Sequence, residues 1–100
     1  MITPEQVKND PAIRSYIQKA DACLSALGYT EHSFAHVGRV ASEAKRNLLA
    51  LGKGQRQAEL AEIAGYLHDI GNIVNREEHA QSGAIMAFRL LDKMGMDPEE

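Results

Sequence analysis

Apolar residues recur every three or four positions along nearly the whole chain, and this spacing constrains the fold more than any other feature of the sequence. Because an α-helix turns once in roughly 3.6 residues, such a recurrence places the apolar side chains on one helix face. The sequence contains no segment with the apolar–polar alternation that marks a half-buried strand. Aromatic residues, which strands favour, make up only 5% of the chain. The sequence therefore predicts an all-α protein.

Capping signals divide this pattern into about four long helices after a short N-terminal one. Thr3-Pro4 predicts the start of the short helix, and Asp10-Pro11 predicts that the chain restarts as a helix in a new direction. The second long helix is predicted to start at Thr30 or Ser33 and the third near Gln57, and a polar connector is predicted over 72–78. The predicted ends of the long helices are the glycines Gly28, Gly52, Gly71 and Gly95. The predicted inward faces are Ile13, Tyr16, Ile17, Ala20, Leu24 and Leu27; Phe34, Val37, Val40, Ala41, Ala44, Leu48 and Leu51; Leu60, Ile63, Ala64 and Leu67; and Ala84, Ile85, Phe88, Leu91 and Met94.

Length and charge limit the classes of function that the chain can have. A chain of 100 residues suits one small domain. Its net charge is −3 without a basic stripe, which argues against DNA or RNA as the main partner. We find no apolar run long enough to cross a membrane and no signal-peptide pattern, so we expect a cytoplasmic protein. The single Cys23 excludes an intrachain disulfide and is interpreted as a small buried apolar residue.

The C-terminal residues have the pattern of a helix start. In the run from Met96 to Glu100, Asp97 can cap, Pro98 suits the first helical position, and the two glutamates favour the positive end of a helix dipole. We therefore expect the domain to continue beyond residue 100.

A histidine and an aspartate, His68-Asp69, end a strongly apolar stretch of the third long helix. Ionisable groups in buried surroundings are costly unless they are paired or bind a metal, and imidazole with carboxylate suits divalent transition metals. His36 lies near the apolar face of the preceding helix, and a short turn between the two helices would bring these faces together. The residues alone leave two interpretations open, which are a shared metal ion and satisfied core histidines.

The run Gly65-Tyr66-Leu67-His68-Asp69-Ile70-Gly71, with His36 before it, resembles the HD-domain superfamily of metal-dependent phosphohydrolases. The likeness extends from Ser33 to Met94, and Leu-His-Asp-Ile-Gly is its most specific part. It implies an all-helical bundle in which a lone His, an adjacent His-Asp pair and a later Asp bind the metal. We accordingly expect one HD-type domain over residues 1–100 that lacks its C-terminal helices.

The resemblance also implies roles for individual residues. His36, His68 and Asp69 are expected to bind one or two divalent ions (Fe, Mn, Zn, Co, Ni or Mg), and His68 and Asp69 to be catalytic, with Asp69 also orienting the attacking water. His79, in a His-x-x-x-Gly-Ala stretch, is either a ligand of a second metal, a contact to substrate phosphate, or a surface histidine. Arg39 and Arg76 are candidates to bind the phosphate, although a solvated Arg39 is the favoured alternative. His32, in a polar helix entry, is expected to face solvent.

Two departures from the family pattern are apparent. The closing Asp is expected beyond Met94, and Asp97 is better interpreted as a cap than as this ligand. Asn72 stands where many members have a lysine after the glycine. The first departure leaves the site one ligand short, and the second removes one cation that could bind phosphate.

These observations predict a metal-dependent hydrolase of phosphate esters, acting on a small, nucleotide-like phosphorylated molecule through a metal-activated water. The alternative is a non-catalytic helical binding or regulatory module with a structural or empty metal site. A third hypothesis is self-association through an exposed apolar face, so a homo-oligomer is left open.

Overall fold

The computed structural model describes residues 1–26, 33–68, 70 and 79–100, of which 23–25, 33 and 79–83 are described by their backbone alone. This part of the chain is helical and contains no strand, which confirms the predicted all-α class and the expectation of four long helices after a short one. The helices are α1 (Pro4–Asn9), α2 (Pro11–Ala26), α3 (Ser33–Ala50), α4 (Gln55–Leu67) and α5 (His79–Met94).

Side-chain caps start α1 and α2 where the sequence predicted. The Thr3 hydroxyl accepts a hydrogen bond from the Gln6 amide at 3.2 Å, and the Gln6 side chain accepts one from the Thr3 amide at 2.9 Å. Asp10 accepts a hydrogen bond from the Ile13 amide at 3.0 Å and so caps α2. Each cap satisfies amides that have no partner within the helix, and a proline follows it directly.

Glycine ends two of the helices as predicted. Gly52 follows α3 with φ +78°, and Gly95 follows α5 with φ +95°, a left-handed conformation that other residues adopt at a cost. The predicted end of α4 at Gly71 is wrong, because α4 ends at Leu67 with His68 as its C-cap. Its start lies at Gln55, slightly before the predicted Gln57. The predicted cap Gly28 and the predicted connector 72–78 lie outside the described residues.

The most extensive helix pair is α3 with α4, while α1 and α2 pack beside it. Close contact between the pair depends on Gly65, which is buried in α4. A Cβ atom at Gly65 would lie 3.0 Å from the Ala41 Cα and 3.2 Å from the Val40 carbonyl carbon. Both are backbone atoms, so α3 could accommodate a larger residue only by moving as a whole. The buried core around this contact consists of Ile2, Val7, Ile13, Ile17, Val37, Ala41, Ile63, Tyr66, Leu67 and Ile70.

A buried ion pair joins α1, α3 and α4. The Glu62 side chain on α4 accepts a hydrogen bond from Lys8 of α1 at 2.6 Å, and Lys45 of α3 lies 3.8 Å from its other oxygen. Glu62 is only 6% exposed, and buried carboxylates are tolerated in proteins when cations compensate them. The pair therefore links the short N-terminal helix to the α3–α4 pair.

A second polar cluster joins the two ends of the chain across α4. Arg56 donates two hydrogen bonds to the Glu100 carboxylate, at 2.7 and 2.8 Å, and one to the Ile2 carbonyl at 2.6 Å. The Asp97 side chain accepts a hydrogen bond from the Glu99 amide at 3.0 Å, but the helix that it was predicted to cap is not formed. A turn rather than a helix follows Asp97.

Several residues predicted to face inward are exposed. Leu51 is 72% exposed because it follows the end of α3, and Tyr16 lies at the edge of the α2 face. On α5, Ile85 and Phe88 are 64% and 70% exposed. Of the predicted α5 face, Leu91 and Met94 pack toward the core, and they are joined there by Met86, Ala87 and Leu90, which were not predicted. Ala64 and Ala84 are also exposed, and the side chains of Leu24 and Leu27 lie outside the described ones.

Within the described ranges, no helix combines the length and apolar character that crossing a bilayer would require.

Candidate metal centre

His36 lies on α3 beside the buried core. Its neighbours Val37 and Ala41 are buried, at 3% and 0% exposed, while the His36 ring is half-buried. The helix therefore presents this imidazole at the border between the core and the surface. A histidine at such a border can keep one ring nitrogen accessible to a ligand.

His68 occupies the C-cap of α4, where its backbone is still helical. Its Nδ1 lies 2.7 Å from the Gly65 carbonyl oxygen. Because a carbonyl oxygen can only accept, this hydrogen bond requires the proton on Nδ1, and the lone pair of the neutral ring is then on Nε2. Metal-binding histidines commonly donate their other ring N–H to such a carbonyl, which fixes the tautomer and the ring orientation.

The expectation that the His68 side chain is buried is wrong. Its neighbours Tyr66, Leu67 and Ile70 are buried, as expected, but the His68 ring itself is exposed. Burial of an ionisable group therefore does not explain this histidine. Its orientation by the Gly65 carbonyl and its position opposite His36 are the features that distinguish it.

The two histidine rings face each other across the α3–α4 interface. Their centroids lie 5.2 Å apart with an interplanar angle of 56°. Imidazole nitrogens bind zinc and similar ions at about 2.0–2.1 Å, which puts two rings on one ion roughly 4.5–5.3 Å apart between centroids. The centroid separation of the pair lies within this range, and imidazole favours transition metals over a hard cation such as Mg²⁺.

The close approach at Gly65 explains how the fold brings the two rings together. Gly65 lies one helical turn before His68, and its contact partner Ala41 lies on α3 after His36. The same residue also supplies the carbonyl that orients His68. Sequence reasoning missed this double role, although a glycine inside a helix that is otherwise apolar was a signal that could have indicated it.

The structure does not define where most of the other predicted site residues lie relative to the histidine pair. Asp69, Arg76, Asn72 and His32 lie outside the described residues. The His79 backbone forms the first residue of α5, but its side chain is outside the described ones. Arg39 is exposed on α3. Among the described residues, no group of three or more His, Cys, Asp or Glu side chains could hold an ion, so His36 and His68 are the part of the predicted ligand set whose geometry is defined.

Burial also changes the acidity of Tyr66, which lies near the C-terminal end of α4. It raises the pKa of the Tyr66 hydroxyl, although the positive charges of Arg14 and Lys8 oppose this effect. The Lys8 ammonium lies 5.9 Å from the centre of the Tyr66 ring. Tyr66, which is a buried member of the core, therefore stays neutral at physiological pH.

His68 also lines a groove that the sequence did not predict. The groove has a volume of about 390 Å³ and lies between α4 and α5. Its lining residues are Leu60, Ile63, Ala64, Leu67, His68, Ala84, Ala87, Leu91, Met96 and Glu100. The groove therefore adjoins one of the two histidines.

Comparison with known proteins identifies the family to which the chain belongs. The family model described as HD domain matches residues 31–99, which include the α3–α4 pair and both histidines. Neither the curated proteins nor the solved structures gave a match. The match spans more than half of the chain, and so the chain belongs to the HD-domain family.

Proposed function

We propose that this chain carries the metal-binding part of a metal-dependent phosphohydrolase. The observation that carries the proposal is the His36–His68 pair, with centroids 5.2 Å apart and the His68 tautomer set by the Gly65 carbonyl. Membership of a family whose members are generally metal-dependent hydrolases supports it further. The proposed ligands are His36, His68 and Asp69, with His79 as the ligand of a second ion.

Each proposed residue has a distinct task in the reaction. His68 keeps its proton on Nδ1, held by the Gly65 carbonyl, and offers Nε2 as a ligand atom. A divalent ion held there supplies a Lewis acid that lowers the pKa of water and polarises a phosphoryl oxygen. Asp69 orients the attacking water and accepts its proton. Arg39 and Arg76 are the proposed cations that balance the charge on the phosphate.

The overall reaction is hydrolysis of a phosphate ester. The water oxygen forms a bond to phosphorus as the bond from phosphorus to the ester oxygen breaks, and the alcohol leaves with a proton. The substrate is a small phosphorylated molecule rather than a nucleic acid, since a net charge of −3 does not favour binding to a phosphate backbone.

Metal analysis combined with one generic assay tests the proposal. The chain as purified, His68→Ala and the double variant His68→Ala with Asp69→Ala should be loaded with Mn²⁺, Co²⁺ or Zn²⁺, desalted and analysed for metal. About one or two ions per chain are expected for the unchanged protein and a loss of most of the metal in the variants. Asp92→Ala, an exposed aspartate on α5, is the matched control and should retain the metal.

Hydrolysis of 4-nitrophenyl phosphate then separates the candidate functions. Metal-dependent turnover that disappears in His68→Ala supports the enzyme. Metal binding that raises Tm without turnover favours the non-catalytic module with a structural metal. A chain that cannot take up metal would contradict both the proposed ligand set and the proposed activity of this chain.

A further inference from the structure

The groove between α4 and α5 has a chemistry of its own. Of its lining residues, eight are apolar and aliphatic: Leu60, Ile63, Ala64, Leu67, Ala84, Ala87, Leu91 and Met96. Its volume of about 390 Å³ falls at the smaller end of the range of roughly 300–1,000 Å³ for small-molecule pockets. The groove is thus large enough to hold part of a small ligand and offers that part an apolar surface.

The two polar residues of the groove have different roles. His68 lies at the candidate metal centre and is exposed, so it connects the groove to the histidine pair. The Glu100 carboxylate is already bound by two hydrogen bonds from Arg56, at 2.7 and 2.8 Å, and its charge is compensated. The groove therefore presents polar chemistry for a reacting group at His68 and apolar surface along most of its remaining lining.

The lining also distinguishes between classes of substrate. Among the described residues, the His68 imidazole is the one aromatic ring in the lining, and no lysine or arginine lines the groove. His68 is assigned to the phosphate end of the substrate, and the other described lining residues give a nucleobase no ring to stack on. Aliphatic walls instead favour an aliphatic group, since each buried methylene contributes to binding.

We propose that this groove binds the alcohol part of the substrate, and that the substrate is a monophosphate ester of an aliphatic, apolar alcohol. The proposal rests on the proposed function, because it requires the phosphate to lie at the histidine pair. Continuity through His68 carries it: the same side chain belongs to the metal centre and to the apolar groove.

Alkylphosphonates test the groove without depending on turnover, because their carbon–phosphorus bond is not hydrolysed. Methylphosphonate, butylphosphonate and octylphosphonate should be titrated into the metal-loaded protein by calorimetry. A buried methylene is worth up to about fourfold in affinity, so we expect octylphosphonate to bind at least about tenfold more tightly than butylphosphonate. Equal affinity across the series would overturn the proposal.

A variant that fills the groove sharpens the test. Ala84 lines the groove and its side chain is exposed, so Ala84→Phe should occupy the groove without disturbing the core. We expect it to weaken octylphosphonate at least about tenfold and to leave methylphosphonate unchanged. Ala22→Phe, an exposed alanine on α2, is the control and should change neither. A loss of methylphosphonate binding in Ala84→Phe would instead count against the groove as a separate subsite.

Two further readouts separate this proposal from its alternatives. If light scattering shows a dimer that Ala84→Phe converts to a monomer, the groove is occupied by a second copy of the chain and the proposal is wrong. If octylphosphonate binds as expected but 4-nitrophenyl phosphate is not hydrolysed, the groove assignment stands and the proposed enzymatic activity fails. If 4-nitrophenyl phosphate is hydrolysed but the affinity for phosphonates does not depend on their chain length, the proposed enzymatic activity stands and the groove assignment fails.

Discussion

The α3–α4 pair and helix α5 illustrate two ways in which this chain packs its helices. The pair meets backbone to backbone at Gly65, buries Ile63 and Leu67, and places both histidines at its border. In contrast, α5 contacts the rest of the molecule through partly buried side chains and leaves Ile85 and Phe88 exposed. The comparison indicates that the candidate metal centre lies on the closely packed part of the molecule, and that the groove beside it is bounded by the less closely packed part.

The same substitution on each helix gives the largest expected contrast. Ile63 on α4 is 3% exposed and Ile85 on α5 is 64% exposed. Ile63→Ala should lower the free energy of unfolding by about 2–5 kcal/mol, because it leaves a cavity in the core. Ile85→Ala should change it by less than about 0.5 kcal/mol. Urea denaturation followed by circular dichroism measures both, and equal losses would show that α5 is buried as firmly as α4.

An added methyl group at Gly65 should give the next largest effect. Its Cβ would meet the α3 backbone, and such overpacking costs about 1–3 kcal/mol, of which the better helix propensity of alanine offsets about 1 kcal/mol. Since α3 must move away, we also expect Gly65→Ala to weaken Co²⁺ binding about tenfold, as measured by titration of the metal absorption.

Gly38→Ala is the matched control for that experiment. It also lies within a helix, on α3, but a Cβ at Gly38 would have no heavy atom within 4 Å. This variant should stabilise the protein by about 0.5–1 kcal/mol and leave metal affinity unchanged. If Gly65→Ala behaves like Gly38→Ala, the backbone contact does not set the distance between the two histidines.

The smallest effect is expected at the ion pair that fastens the C-terminal residues to α4. Hydrogen bonds from Arg56 lower the pKa of the Glu100 carboxyl below its usual 4.5. A lowered folded-state pKa means that the pair stabilises the protein above pH 4.5 and that this contribution disappears as the pH falls through the lowered value. Glu100 is on the surface, where solvent screens the pair.

Thermal unfolding of Glu100→Gln against the unchanged chain measures this contribution. We expect a small decrease in Tm at pH 7, which shrinks in high salt and vanishes in acid. Glu99→Gln is the control for the loss of one nearby carboxylate. A Tm difference that grows as the pH falls would contradict the proposed role of the pair.

Local signals predicted the helices well because they act within a few residues. Thr3 and Asp10 cap their helices as expected, and Gly52 and Gly95 end theirs in left-handed conformations. The predicted end of α4 was wrong. Gly71 is a strong stop signal, yet the helix ends at Leu67, just before His68, whose Nδ1 donates a hydrogen bond to the Gly65 carbonyl. A local sequence pattern cannot decide between two possible helix ends when one of them depends on the conformation of a site residue such as His68.

The orientation of α5 could not be predicted, for a different reason. Apolar residues cover much of its circumference in the run from Ala84 to Leu91, so the periodicity allows more than one inward face. Only packing against the buried core selects the face that carries Met86 and Leu90 and leaves Phe88 outside. The Leu-His-Asp-Ile-Gly run, in turn, indicated the family and His68, but not how His68 is oriented.

By itself, the sequence determined the all-α class, most helix boundaries and the two candidate metal-binding histidines, because propensity, capping and motif chemistry are encoded locally. The tertiary structure decided the 5.2 Å separation of those histidines, the backbone contact at Gly65 and the groove between α4 and α5. These features depend on how closely two helices approach. That distance is set by shape complementarity between residues far apart in the chain, which no local pattern specifies.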